Sequence, residues 1–456
     1  MQRDRSSTGE VLGRADAPSW NDRYLLFLVC VLAGYALMGK GFAYLGAPPL
    51  FVGEIALLLG VFVFLRTGLL LACLTTLPSL LLATMMAWTL LRTVPFVSSQ
   101  GINALRDSVI IMYGAFAFIV IALLLEDARR LDALLQYYGR FLRFFVPVVP
   151  FLFGLCQYTG EGFLPTLPGT EVPILLLGAG EVPVHLAGAA VFALAGFYRP
   201  SMLWIASLLT AVLMASALNR GGMLAFVIPV LAAMILCGKA RLLFRLLIVG
   251  SVAFGVAYAV ERAVTQEPAA ASRERQLRPS QLVENAASIL GHSDPKLEGS
   301  RRWRLEWWDI IMKDTLYGGP HFWRGRGYGL NLAVEDGYGG ERQASPLRSP
   351  HNAHMTLLAR TGVPGLALWI VFLVSWLGTL GAAFVDARRR REPAWAGLFL
   401  FIACYASACV INATFDVALE GPMQGVWFWC LIGFGIGSVM IFRFQHRQPI
   451  AQGSGP

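Results

Sequence analysis

Apolar residues come in unbroken runs of bilayer length along most of this chain. They run continuously rather than alternating with polar residues, which sets aside a transmembrane β-barrel. A run of about 20 apolar residues spans a hydrocarbon core only as a helix, because no other open structure satisfies its own backbone. Runs occur near 24–39, 50–65, 68–91, 108–125, 141–156, 183–198, 201–218, 221–237, 242–260, 362–384, 394–412 and 424–442. The expected fold is an all-α integral membrane protein of about 12 transmembrane helices. Only 14% of the 456 residues are charged, well below a soluble domain.

The first 23 residues are polar, and no small-residue cleavage site follows the first apolar run, so that run is expected to stay as an anchor. The seven cysteines all fall within apolar runs and read as free thiols packed in helices. One segment, "DARRLDALLQYYGRFLRFF", is amphipathic and basic, and its first part is expected to lie at the membrane interface.

Basic residues set the orientation. With residues 1–23 cytoplasmic, Arg66, Arg129, Arg130, Lys239, Arg241, Arg388 to Arg391, Arg443 and Arg447 fall on the same side. The net charge of +9 is then a topology signal and implies no nucleic acid. The organisation that follows is a cytoplasmic segment 1–23, helices 1–9 over 24–260, a large periplasmic loop domain over 261–361 between spans 9 and 10, helices 10–12 over 362–442, and a cytoplasmic tail 443–456.

That loop carries the chemistry-bearing patterns. In "SRRWRLEWWDIIMKDTLYG", Leu305, Trp308, Met312 and Leu316 recur at helical spacing, with Ser300 as N-cap and Gly318 as stop. Arg302 and Glu306 form an i,i+4 pair, as do Asp309 and Lys313. Arg304 lies on the flank with Trp307 and Ile311 and has no local acid. It needs an anion from elsewhere, either a ligand or a distant carboxylate. "WRGRGYGLN" interleaves Arg324 and Arg326 with three glycines, which reads as a phosphate cradle or as a plain turn.

Arg220 in "ALNRGGML" sits at the outer end of two spans, against the positive-inside trend. Lys40, Arg92 and Arg106 share that face; Lys40 and Arg92 are secondary site candidates. Glu54 lies inside an apolar run and requires a partner, with Lys40 one option. His351 in "RSPHNAHMTLLARTGVPG" opens an apolar run. Its imidazole is either a general base or a structural histidine. His354 follows at i+3, but no Cys or acid stands at matching spacing, so no metal site is expected. Asn352 is best placed as a helix cap, with substrate orientation the alternative.

Together, "NRGG", "RRWRLEWWDIIMKDTLYGG" with "GRGYG", and "HNAHMTLLARTGVPG" resemble the O-antigen ligase/polymerase superfamily of bacterial membrane glycosyltransferases, over about residues 200–440. The resemblance implies transfer of a glycan from an undecaprenyl-diphosphate carrier in the periplasmic leaflet of the inner membrane, without metal or other cofactor. For a ligase, the acceptor is the lipid A-core of lipopolysaccharide. It further implies His351 as catalytic base and Arg220, Arg304 and Arg326 as diphosphate ligands, with Arg301 or Arg302 as alternatives to Arg304. The length and single dominant outer loop favour the ligase over a polymerase. A transporter of the same lipid would need the arginines but no base; the chain shows no internal repeat of the kind transporters carry.

Overall fold

The computed structural model describes residues 19–158, 163–264, 279–289, 295–338 and 347–447. Its long helices, in chain order, are α1 (Trp20–Met38), α2 (Val52–Thr67), α3 (Leu77–Gln100), α4 (Ile102–Met112), α5 (Ala115–Glu126), α6 (Arg129–Tyr158), α7 (Glu181–Leu194), α8 (Met202–Leu218) and α9 (Arg220–Leu236). They continue as α10 (Ala240–Val264), α11 (Pro279–Ile289), α12 (Pro295–Thr315), α13 (Ala353–Arg389), α14 (Pro393–Ala413) and α15 (Pro422–Arg447). A hairpin of two two-residue strands, Gly46–Ala47 with Leu50–Phe51, supplies the only sheet among the described residues.

The twelve apolar runs fall on helices, with the 68–91 run interrupted at 74–76 and the 108–125 run at 113–114. Six helices are long and apolar enough to cross a membrane, or up to seven if the bent pair α4–α5 counts as one span. The shorter apolar helices α7, α8 and α9 have 14, 17 and 17 residues. At 1.5 Å per residue they reach about 20–25 Å, short of a hydrocarbon core of about 30 Å.

The helices run between two chemically different ends. Helices α5 and α15 are parallel, because Gly433 meets Ala117 and Gly437 meets Ile121 and Leu124. Glu126 and His446 therefore emerge together. Arg130 joins Asp22 (2.8 Å) and Glu126 there, and His446 reaches Glu392 at 2.7 Å. Lys239 donates to the Leu194 carbonyl (2.7 Å) and Arg388 to that of Leu236 (3.2 Å), so the same end gathers these cations. The other end carries Lys40, Arg220, Arg304 and His351.

Two local features position the second end. Helix α13 breaks at Gly362 (φ 72°), just before Pro364, so the carbonyls before the break lose their intrahelical donors. The loop of "GRGYG" supplies donors instead: Arg326 N–H to the Ala359 carbonyl at 2.7 Å and Gly327 N–H to that of Arg360 at 3.0 Å. A Cβ on Gly325 would stand 2.4 Å from the Arg360 carbonyl carbon, so glycine is needed for this close approach. The amides expected to face a phosphate are thus spent on a broken helix.

In α12 the buried stripe is Trp307, Ile311 and Thr315, while Leu305 and Leu316 are exposed. The expected stripe is displaced to its Arg304 flank. The helix also starts at Pro295, so Ser300 lies inside it rather than at its cap. Part of the 261–361 segment lies outside the described residues.

Candidate functional site

At the second end, Asn219, Arg220, Gly221, Arg304, His351, Phe415 and Asp416 line one cavity of about 170 Å³. Four pieces of chain far apart in sequence meet there: the α8–α9 junction, α12, the start of α13 and the α14–α15 loop.

The NRGG motif explains the first wall. Asn219 caps α9, its Oδ1 accepting from Gly222 N–H at 3.0 Å, which leaves Arg220 as the first helical residue facing the cavity. A Cβ on Gly221 would stand 2.8 Å from Phe415 Cβ, and one on Gly222 would stand 2.8 Å from the Ala179 carbonyl. The glycines therefore let the Phe415–Asp416 turn and the 179–180 turn close around the cap. The amino end of α9 also adds its partial positive charge to that of Arg220.

Arg304 comes from α12, its Nη1 donating to the Phe415 carbonyl at 2.9 Å. Its guanidinium lies 5.5 Å from the Trp303 ring centroid. Burial lowers its pKa, Asp416 works the other way, and Arg220 adds to the lowering. Two guanidiniums held close in a partly dry cavity make a site that gains from an anion.

His351 takes the left-handed backbone conformation, φ 52°, which is uncommon for a side-chain-bearing residue. Its two sides are pinned. Pro350 O accepts from Trp308 Nε1 at 2.9 Å, and Asn352 Oδ1 accepts from the N–H groups of His354 (2.9 Å) and Met355 (3.2 Å), capping α13. The Trp303 ring packs edge-on against the imidazole at 6.0 Å. His351 Nδ1 lies 3.6 Å from Asp416 Oδ1, which leaves Nε2 as the nitrogen able to take a proton from a ligand.

Sequence reading missed Asp416. Burial works against its charge, but hydrogen bonding from His351 and the Val417 N–H, and the charges of His351 and Arg304, outweigh burial and hold the carboxyl below the usual range. It sits in a polar nest: a Cβ on Gly180 would lie 2.8 Å from Asn412 Oδ1, 3.0 Å from Asp416 Oδ2 and 3.2 Å from Asn219 Nδ2. Its only sequence signal was an acid in a short polar turn between two apolar runs.

The remaining candidates lie outside the cavity. Arg326 is held by Asp314 (2.8 Å) and Asp336 (2.6 Å); both carboxylates lie near the glycine loop and neutralise it there. Arg302 pairs with Glu306 at 2.8 Å and is largely exposed, as is Arg301. Arg92 Nε donates to the Arg324 carbonyl at 2.6 Å, and Arg106 lies 3.5 Å from Asp107. Lys40 lies 5.9 Å from the Tyr44 ring, while Glu54 accepts from Tyr113 Oη at 2.7 Å rather than from Lys40. His354 is satisfied by Trp369 Nε1 (2.9 Å) and Thr414 Oγ1 (3.2 Å). Among the described residues no three His, Cys, Asp or Glu side chains cluster as metal ligands.

A second polar network braces His351 from behind. Asp107 accepts from Arg348 at 3.0 Å and Arg360 at 2.9 Å, and Thr356 donates to Glu420 at 2.8 Å. It ties the first half of α13 to α4 and to the loop that carries Asp416.

Against known proteins, residues 205–370 match the family model described as O-antigen ligase. That stretch contains Arg220, Arg304 and His351 but ends before Asp416. No curated protein matches the chain.

Proposed function

We propose, from the match of residues 205–370 to the O-antigen ligase family model, that this protein is an O-antigen ligase. It would transfer a glycan from undecaprenyl diphosphate to a hydroxyl of lipid A-core, at the periplasmic face of the bacterial inner membrane. The observation that carries the reading is the meeting of His351, Arg220, Arg304 and Asp416 in one cavity.

A sugar diphosphate already contains its leaving group. The acceptor oxygen attacks the anomeric carbon from the face opposite the diphosphate, and the configuration inverts. The bond from that carbon to the phosphate oxygen breaks, and its electron pair leaves with the diphosphate. Arg220, Arg304 and the amino end of α9 stabilise the charge that grows there. The acceptor proton goes to His351 Nε2, an effect of roughly 10²–10⁴ in rate. Asp416 orients the ring and stabilises the imidazolium, as the carboxylate does in Ser-His-Asp sites. The diphosphate role rests with Arg220 and Arg304; Arg326, already held by two carboxylates, serves the fold. Two guanidiniums supply the neutralisation that a divalent ion would otherwise give, which supports a metal-independent reaction.

The test is glycan transfer by purified protein in liposomes, given undecaprenyl-diphosphate glycan and lipid A-core in EDTA, with His351→Asn as the control. Asparagine tolerates the left-handed backbone, so the variant should fold. Transfer by the wild type alone supports the reading. Elongation of the carrier-linked glycan instead would make the protein a polymerase. Loss of activity in EDTA would overturn the metal-independent step, and carrier movement across the bilayer without transfer would make it a transporter.

A further inference from the structure

The amphipathic start of α6 plays no part in that chemistry. Asp132, Leu135, Gln136, Gly139, Arg140, Arg143 and Phe144 recur at intervals of three and four, so they form one helix face. That face and the α7–α8 turn enclose an open groove of about 890 Å³, closed on the far side by Phe192, Phe197 and Tyr198. Gly139 leaves the groove clear at mid-height, because a Cβ there would meet only Phe192, at 3.7 Å.

The groove lies at the end of the bundle away from His351. Helix α7 starts with Glu181, at the end of the cavity, and Phe192 is near its other terminus, about 17 Å along at 1.5 Å per residue. Leu142, between the two arginines in sequence, accepts from Trp204 Nε1 at 3.0 Å, and Trp204 is in the first turn of α8. Arg140 and Arg143 are therefore level with a helix end, where a bilayer's headgroups meet its acyl chains. Both are exposed, and neither forms an ion pair among the described residues. The nearby basic residues already have partners: Arg129 pairs with Asp127 (2.9 Å) and Arg130 with Asp22 and Glu126. The one acid on the groove face, Asp132, is two turns from Arg140. Apart from Asp132, Gln136 and the arginines the lining is largely apolar, with Phe144, one residue past Arg143 on α6, 68% exposed.

We infer that this groove binds one acidic phospholipid, its phosphate on Arg140 and Arg143 and an acyl chain against Phe144 and Phe192. Unpartnered arginines at the interface favour an anionic headgroup, and two guanidiniums one helical turn apart suit phosphate oxygens. The apolar walls select a lipid over free phosphate.

The experiment is native mass spectrometry of the full chain released from nanodiscs of mixed phosphatidylglycerol and phosphatidylcholine. Wild type should retain one phosphatidylglycerol in preference to phosphatidylcholine, and excess inorganic phosphate should not displace it. Removing two interfacial cations (Arg140→Gln with Arg143→Gln) should weaken retention roughly 30-fold, at about tenfold per 1.4 kcal/mol and about 1 kcal/mol per cation. Gly139→Leu, which fills the groove without changing charge, should also expel the lipid. Equal retention by the double variant, or displacement by phosphate alone, would overturn the inference. Glycan transfer should persist in both variants, because neither touches the His351 cavity.

Discussion

Replacing Asp416 with Asn tests the least expected part of the site. The change keeps the side chain's shape and removes its charge 3.6 Å from His351 Nδ1. At that separation a full charge pair is worth about 5 kcal/mol at an effective dielectric of about 20. Side chains 28% and 32% exposed share that field with water, and proton transfer is only partial at the transition state, so about 2 kcal/mol remains for the barrier, roughly 30-fold in kcat. The donor's KM should change little, because Arg220 and Arg304 keep their places. The assay is initial-rate glycan transfer in liposomes, with thermal unfolding in detergent to confirm folding. If Asp416→Asn retains kcat within about twofold while His351→Asn abolishes it, the pairing plays no part in the chemistry. Stability gives a second check. The folded carboxyl is held below its unfolded value, so its stabilisation is present above about pH 4 and is lost as pH falls through the lower folded value. The Tm difference between wild type and Asp416→Asn should therefore shrink in acid.

Arg326→Ala should destabilise the segment between α12 and α13 by about 3–5 kcal/mol, because it strands two carboxylates; unfolding should show a lower Tm, with activity per folded molecule retained if Arg326 does not bind the diphosphate. Gly180→Ala would force a methyl within 2.8–3.0 Å of Asn412 and Asp416 and should lower kcat at least tenfold by turning Asp416; a kcat within twofold of wild type would show the nest is looser than drawn. His351→Gly should be more stable than His351→Ala by about 1 kcal/mol, because both lose the imidazole but only glycine takes φ near 52° without strain; both should abolish transfer. A Tm for His351→Gly at or below that of His351→Ala would refute the strain argument.

Much of the architecture was legible in the sequence because it is written in short-range periodicity. The twelve apolar runs fall on helices, six or seven of which can cross a membrane, and the Arg304 flank of α12 turns inward. Arg220 and His351 stood out because cationic or titratable side chains at the mouths of apolar helices are costly unless used. Asn352 stood out as a cap because Asn before a helical run satisfies its first amides.

Other features depended on which segments meet. The sequence of "GRGYG" suits an anion cradle equally well; only the break at Gly362 shows that its amides serve the Ala359 and Arg360 carbonyls. Arg326 had no carboxylate at helical spacing, yet Asp314 and Asp336 reach it across loops. Asp416 looked like any acid in a short turn. Local propensity acts over a few residues, so the sequence by itself determined the helices and the residue types at their ends. The pairing of His351, just before α13, with Asp416, after α14, was decided by packing alone, through glycines at 180, 221 and 222 that let the turns close around one cavity.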